Sequence, residues 1–196
     1  CLLAIPGLVF FPRGRLLSAA GSYVWEQGFP RTPGRVFAVP VGIPSGSLFH
    51  YFETKEDILY SVMEEVVAFK TERLRQAGGS HAAGKDKLRA LIRAELQSIV
   101  GDTAEAMTVM VTEWRCLSAD KQARALKLRG IYEQLWLDVL SELHDQGEFT
   151  TDPFIMRRLL TGMTGWAPNW FDREGPLSLD DLADIMLARV IGESAP

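Results

Sequence analysis

The sequence predicts an all-α protein, and three observations carry that expectation. From residue 55 onward, apolar residues recur every three or four positions, the spacing that lines one face of a helix. Capping and stop residues punctuate this pattern: Thr54, Asp152-Pro153 and Ser178 open segments, while Gly78-Gly79 and Gly147 close them. No stretch alternates apolar with polar residues as a half-buried strand does, and no internal repeat occurs.

Taken in order, residues 1–14 read as an irregular segment whose first eleven residues are apolar without periodicity. A signal-peptide remnant or a lipid-modified Cys1 is one expectation for such a stretch, and the rest of the chain argues against export. Residues 15–27 show a helical stripe of Leu16, Ala19, Ala20 and Tyr23 or Val24, with Gly28 placed to end it. Thr32 is the expected cap of a second helix and Pro33 its first residue. Pro40 removes an interior hydrogen bond at about 3 kcal/mol, so that helix is expected to be short or distorted.

A long helix is expected over 55–76, its stripe formed by Ile58/Leu59, Val62/Met63 and Val66/Val67. After a small-residue loop containing His81, helices are expected over 85–100, 103–117 and 120–146. Their inner faces carry Leu88, Leu91/Ile92 and Leu96, then Met107, Met110, Val111 and Trp114, then Tyr132, Trp136, Val139/Leu140 and Leu143. Asp152-Pro153 opens a helix through Met156, Leu159/Leu160, Met163 and Trp166. A loop over 168–177 holds Trp170, and Ser178 with Asp181 caps a final helix through Leu182, Ile185/Met186, Arg189 and Val190.

With 196 residues, 47% hydrophobic and 23% charged, the chain has the composition of a folded globular protein of one domain or two small ones. The net charge of −4 is unevenly spread. Residues 1–60 hold five basic against four acidic residues, a net of +1, and the remainder nets −5. Cys1 and Cys116 form neither a disulfide framework nor a metal-ligand spacing, so a reducing cytoplasm is the expected setting and Cys116 reads as a small core residue. No apolar run is long enough to cross a membrane. His50, His81 and His144 lie apart, His144-Asp145 reads as a cation site at a helix end, and no Ser-His-Asp order, glycine-rich phosphate loop or HExxH motif occurs. An enzyme is therefore not expected, nor a cofactor, nor a metal site.

One stretch stands out: Val41-Gly42-Ile43-Pro44-Ser45-Gly46-Ser47-Leu48-Phe49-His50-Tyr51-Phe52, then Glu53-Thr54-Lys55-Glu56-Asp57. Gly42 permits a sharp turn and Pro44 suits the first turn of a short helix. Leu48 and Phe52 share one face, while Ser45 and Phe49 share another that His50 and Tyr51 extend. Three aromatic residues and a histidine cannot all point inward from so short a helix, so some face solvent or a ligand. Thr54 and Asp57 resemble a helix cap with Lys55 just inside it, a place where phosphate oxygens bind well.

Residues 16–60 resemble the DNA-binding domain of TetR/AcrR-type transcriptional regulators. The resemblance rests on Leu16-Leu17-Ser18-Ala19-Ala20, Glu26-Gln27-Gly28-Phe29, Thr32, and above all Gly42 to Phe52 with Thr54-Lys55-Glu56. It implies a three-helix helix-turn-helix domain over 1–60, joined by the long helix to an effector-binding and dimerisation domain over 61–196, with about nine helices in all. Thr32, Ser45, Gly46, Ser47, Phe49, His50, Tyr51, Thr54 and Lys55 would then meet double-stranded operator DNA. The arm and second helix depart from the family pattern, which is usually more polar in the first and more helix-favouring in the second.

Met107, Met110, Trp114, Tyr132, Trp136, Met156, Met163, Trp166 and Trp170 supply large, adaptable side chains that serve as core or as the lining of an apolar pocket. The run 162–183 resembles the end of regulators of lipid and acyl-CoA breakdown, which implies a hydrophobic, fatty-acyl, steroid-derived or CoA-linked effector, with Arg157, Arg158 and Arg173 read either as phosphate partners or as solvated surface. The family resemblance also implies a homodimer through the last two helices, with Leu159, Trp166, Leu182, Ile185, Met186 and Arg189 at the interface. The expected function is a repressor released from its operator by that effector, and the rival is a helical lipid- or small-molecule-binding dimer that has lost DNA binding.

Overall fold

The computed structural model describes residues 28, 52–79, 84–100 and 112–192. Among them lie five α-helices and no strand: α1 (Lys55–Gly79), α2 (Gly84–Val100), α3 (Ala119–Asp145), α4 (Pro153–Trp166) and α5 (Leu179–Val190). The helices expected over 15–27, after Thr32 and after Pro44, and most of that over 103–117, fall outside the described residues. Gly28 has φ of +75°, the left-handed conformation suited to a helix-ending glycine. The chain forms two compact units, one of Cys1–Phe69 and Asp102–Arg129, the other of Lys70–Gly101 and Gly130–Pro196. Helices α1 and α3 each contribute to both, and the boundary expected near residue 60 falls inside α1.

The helix ends follow local chemistry. Asp57 N–H donates to Thr54 Oγ1 at 3.1 Å while Thr54 N–H donates back to Asp57 Oδ2 at 2.8 Å, a reciprocal box that opens α1. Asp152 accepts from Ile155 N–H at 3.1 Å ahead of Pro153, and Ser178 with Asp181 makes a second box at the start of α5. Helix α3 stops at a glycine, as expected: Gly147 has φ of +78°, and Glu148 N–H reaches back to the Leu143 carbonyl at 3.0 Å.

Two segments differ from expectation. Helix α1 continues through Gly78 and Gly79 instead of stopping before them. A side-chain carbon at Gly78 would lie at ordinary contact distance, 3.4–3.9 Å, from the Lys87 and Leu91 side chains, so α2 packs directly against this last turn of α1 and supports it. The helix expected to reach residue 117 instead gives way to a 3-10 turn, Trp114–Cys116, with Leu117 extended. Gln122 accounts for this, because its side-chain amide donates to the carbonyls of Trp114 at 3.2 Å and Leu117 at 3.0 Å.

In the second unit five helices contribute to the core, α1 through Leu74. Leu88, Leu91, Ile92 and Leu96 of α2 meet Trp136, Val139, Leu140 and Leu143 of α3, Met156 and Leu160 of α4, and Leu182, Ala183, Met186 and Val190 of α5. At about 25 cal/mol per Å² of apolar surface removed from water, these side chains supply the main drive for folding. Ion pairs register α2 on α5: Arg89 holds Asp184 and reaches Asp180 at 3.4 Å, and Arg93 holds Asp180 at 3.1 Å. No helix among the described residues is long and apolar enough to cross a membrane.

Candidate functional site

In the first unit, the start of α1 carries the only expected DNA-contacting residues that are described, Thr54 and Lys55. Thr32, Ser45, Gly46, Ser47, Phe49, His50 and Tyr51 lie outside the described residues. Thr54 is committed to the cap, its hydroxyl donating to Asp57 Oδ2 at 2.7 Å. Lys55 is half-buried beside Glu113 and Cys116, and burial lowers its pKa against the pull of those two groups. Cys116 is itself only half-buried and donates to Glu113 Oε2 at 3.4 Å, so it is not the apolar core residue expected. Burial and then Glu113 raise its thiol above the usual range, which keeps it protonated.

The first turn of α1 is fastened to the start of α3. Glu56 Oε1 accepts the Ser118 backbone N–H at 2.6 Å, and Lys121 bridges Asp57 at 2.7 Å and Glu56 at 3.4 Å. One turn further along each helix, the Arg124 guanidinium stacks 4.6 Å over the Tyr60 ring. The Ser118 bond chiefly lowers the Glu56 pKa, and Lys121 with Thr54 lowers that of Asp57, so both are ionised at neutral pH. A lysine in the first turn of α3 opposes that helix's dipole, and the two carboxylates of α1 offset the cost. Sequence periodicity gave no sign of this latch, because it joins residues distant in the chain.

In the second unit, a polar cluster sits inside the apolar core. Arg157 of α4 is only 1% exposed. Its Nε donates to Glu133 Oε2 at 3.1 Å, its Nη2 lies 3.4 Å from Glu95 Oε2, and its Cζ lies 4.4 Å from the Trp136 ring centre. Tyr132 joins it, with Lys70 Nζ 4.8 Å over its ring. Burial works against the Arg157 charge, but Glu95, Tyr132 and Glu133 more than offset it and raise its pKa. Burial, then Glu95, pushes the Tyr132 hydroxyl well above its usual value. Arg157 is therefore not the phosphate-facing or solvated residue that the sequence suggested, whereas Arg158 and Arg173 are exposed.

The residues expected to line a pocket are only partly brought together. Tyr132, Trp136 and Met156 are buried in the core of the second unit, with Met163 half-buried against it. Trp166 and Trp170 are 66% and 50% exposed. Trp114 belongs to the first unit, and Met107 and Met110 lie outside the described residues. A separate open cavity of about 600 Å³ between α1 and α2, lined by Arg73, Gln76, Asp86, Arg89, Arg93 and Gln97 among others, contains none of them. Of the expected dimer residues, Leu182 and Met186 pack into the unit's own core, Ile185 is half-buried, and Leu159, Trp166 and Arg189 face outward. No His, Cys, Asp or Glu group among the described residues is placed to hold a metal ion.

Comparison with known proteins bears on these two regions. The chain matches the solved structure of the superantigen PfiT with 45% identity and a TM-score of 0.83, covering 92% of this chain and 96% of that one. It is 26% identical over 190 residues to the HTH-type transcriptional repressor KstR2 of Mycobacterium tuberculosis (strain ATCC 25618 / H37Rv), 96% of this chain and 95% of the relative. The structure of that protein, a ketosteroid transcriptional regulator, matches with a TM-score of 0.78. The fold is shared with AibR in complex with isovaleryl coenzyme A and operator DNA, at 19% identity, a TM-score of 0.81, and 94% and 100% coverage. Residues 81–192 match the family model of the tetracyclin repressor-like C-terminal domain, and that span, more than half the sequence, places this chain in the TetR family of transcriptional regulators rather than in any enzyme family.

Proposed function

We propose that the protein is a homodimeric repressor that binds operator DNA through residues 1–60 and releases it when a hydrophobic effector enters the second unit. The observation that carries this reading is the latch at the start of α1. Thr54, Lys55 and Glu56 end the stretch that resembles a DNA reader, and Glu56 with Asp57 grips Ser118 and Lys121 at the start of α3. Further along, α3 carries Tyr132 and Trp136, which belong to the buried polar cluster. A shift of α3 on effector binding would reach the base of the reader through one continuous helix, a route for population shift between DNA-competent and released forms. AibR, solved with isovaleryl coenzyme A and operator DNA, supports such a pairing of ligands on this fold.

A dimer is supported by the outward face of α4. Ile155, Leu159 and Trp166 recur there at helical spacing and are about half exposed or more, and a side chain at Gly162 or Gly165 would meet nothing within 4 Å. Pairing two copies would also double the phosphate contacts of a chain whose first 60 residues net only +1.

The test is a mobility-shift assay on DNA from upstream of the protein's own gene, at several salt concentrations. Salt-sensitive binding that is relieved by an acyl-CoA or steroid ligand is expected; no binding at any salt concentration would sink the repressor reading. The 45% likeness to a protein described as a superantigen, together with Pro40, favours a second reading: a helical dimer of this fold that acts by binding protein or lipid and has lost DNA binding. The same assay separates the two.

A further inference from the structure

We propose that the cluster around Arg157 is the polar end of the effector site and that it recognises an uncharged oxygen, a ketone, ester or thioester carbonyl, at the end of an apolar body. This narrows the ligand chemistry and rests on the reading of the chain as a ligand-responsive regulator.

Among the described residues, the buried side-chain polar atoms without a hydrogen bond are Glu95 Oε2, Tyr132 Oη, Trp136 Nε1 and Arg157 Nη1. All four belong to this one cluster. Native interiors leave few such atoms unpaired, and scatter would be expected if each were an accident of packing. Three of the four are donors: the Arg157 and Trp136 N–H groups and the Tyr132 hydroxyl, which its raised pKa keeps protonated. Donors converging inside an apolar shell select a ligand that brings an acceptor.

The charges then decide which acceptor. Among the described residues, the buried cations facing the cluster are Lys70 from α1 and Arg157 from α4, and the carboxylates are Glu95 from α2 and Glu133 from α3, with Arg158 at the edge on Glu133 at 3.6 Å. The two buried cations are matched by the two carboxylates. An entering carboxylate or phosphate would face Glu95 and Glu133 with no buried cation in excess among the described residues, whereas a neutral carbonyl oxygen can accept from the donors without adding charge.

The test titrates the full chain with 2-nonanone and with octanoate at pH 7, by calorimetry, and repeats both with Tyr132→Phe and Trp136→Phe. The ketone is expected to bind at least about tenfold more tightly than the carboxylate. Tyr132→Phe removes a hydroxyl set beside Glu95 and Trp136, so ketone affinity is expected to fall about fivefold, with a cooperative thermal transition showing that the fold is kept. Trp136→Phe should lower ketone affinity in the same direction. Equal or tighter binding of octanoate, unchanged ketone affinity in both variants, or binding of neither probe would overturn the assignment. The operator assay keeps the two readings apart: DNA binding without ketone binding removes only this inference, while ketone binding without DNA binding removes the repressor reading.

Discussion

Arg157 shows what a single residue's surroundings decide. Its position in α4, beside Met156 and three before Leu160, puts it on the inward face of the helix, yet its residue type argues for solvent. Glu133 and Glu95 resolve that conflict, since they meet it from α3 and α2 and make burial tolerable. Removing one member of such a network leaves the others charged and unpaired. Arg157→Ala is therefore expected to destabilise the fold by about 3–5 kcal/mol in urea unfolding. A loss under about 1 kcal/mol would mean that the guanidinium is solvated in solution. Trp136, fully buried beside it, is expected to lose about 3–5 kcal/mol on change to Ala, through the cavity left behind.

At the scale of elements, the caps and the latch act through short-range charge. Ser178→Ala removes one half of the α5 box and is expected to cost about 1 kcal/mol, read as a lowered Tm. Asp57 and Asp184 have pKa values lowered in the folded state, chiefly by hydrogen bonds from Lys121 and Arg89 respectively. Groups with depressed pKa stabilise fully above the ordinary carboxylate value near 4 and lose that contribution as pH falls through the folded value. Tm is thus expected to drop as pH falls below about 4, and less steeply in an Asp57→Asn, Asp184→Asn double variant. Lys121→Met separates the latch from the caps. It should leave helix content intact while weakening operator binding by about 1 kcal/mol, roughly fivefold, in the mobility-shift assay.

For the whole molecule, the proposed dimer rests on the outward face of α4. Trp166 is 66% exposed, and Trp166→Glu is expected to convert a dimer into a monomer in light-scattering measurements, with little change in Tm of the monomeric unit. A monomeric parent protein would end that reading. The sequence by itself determined the all-helical class, the bounds of α2, α4 and α5 to within a residue, and the boxes at Thr54 and Ser178. These depend on the helical period and on groups three or four residues apart, so no distant contact is needed. The family was legible too, in the run from Gly42 to Phe52. Only the tertiary structure decided that Gly78 stays helical, that Leu182 and Met186 serve the chain's own core, and that α1 is latched to α3. It also decided that Arg157 is an interior charge rather than a surface one. Each of these depends on a partner from another helix, and periodicity names the face a residue occupies but not what that face meets.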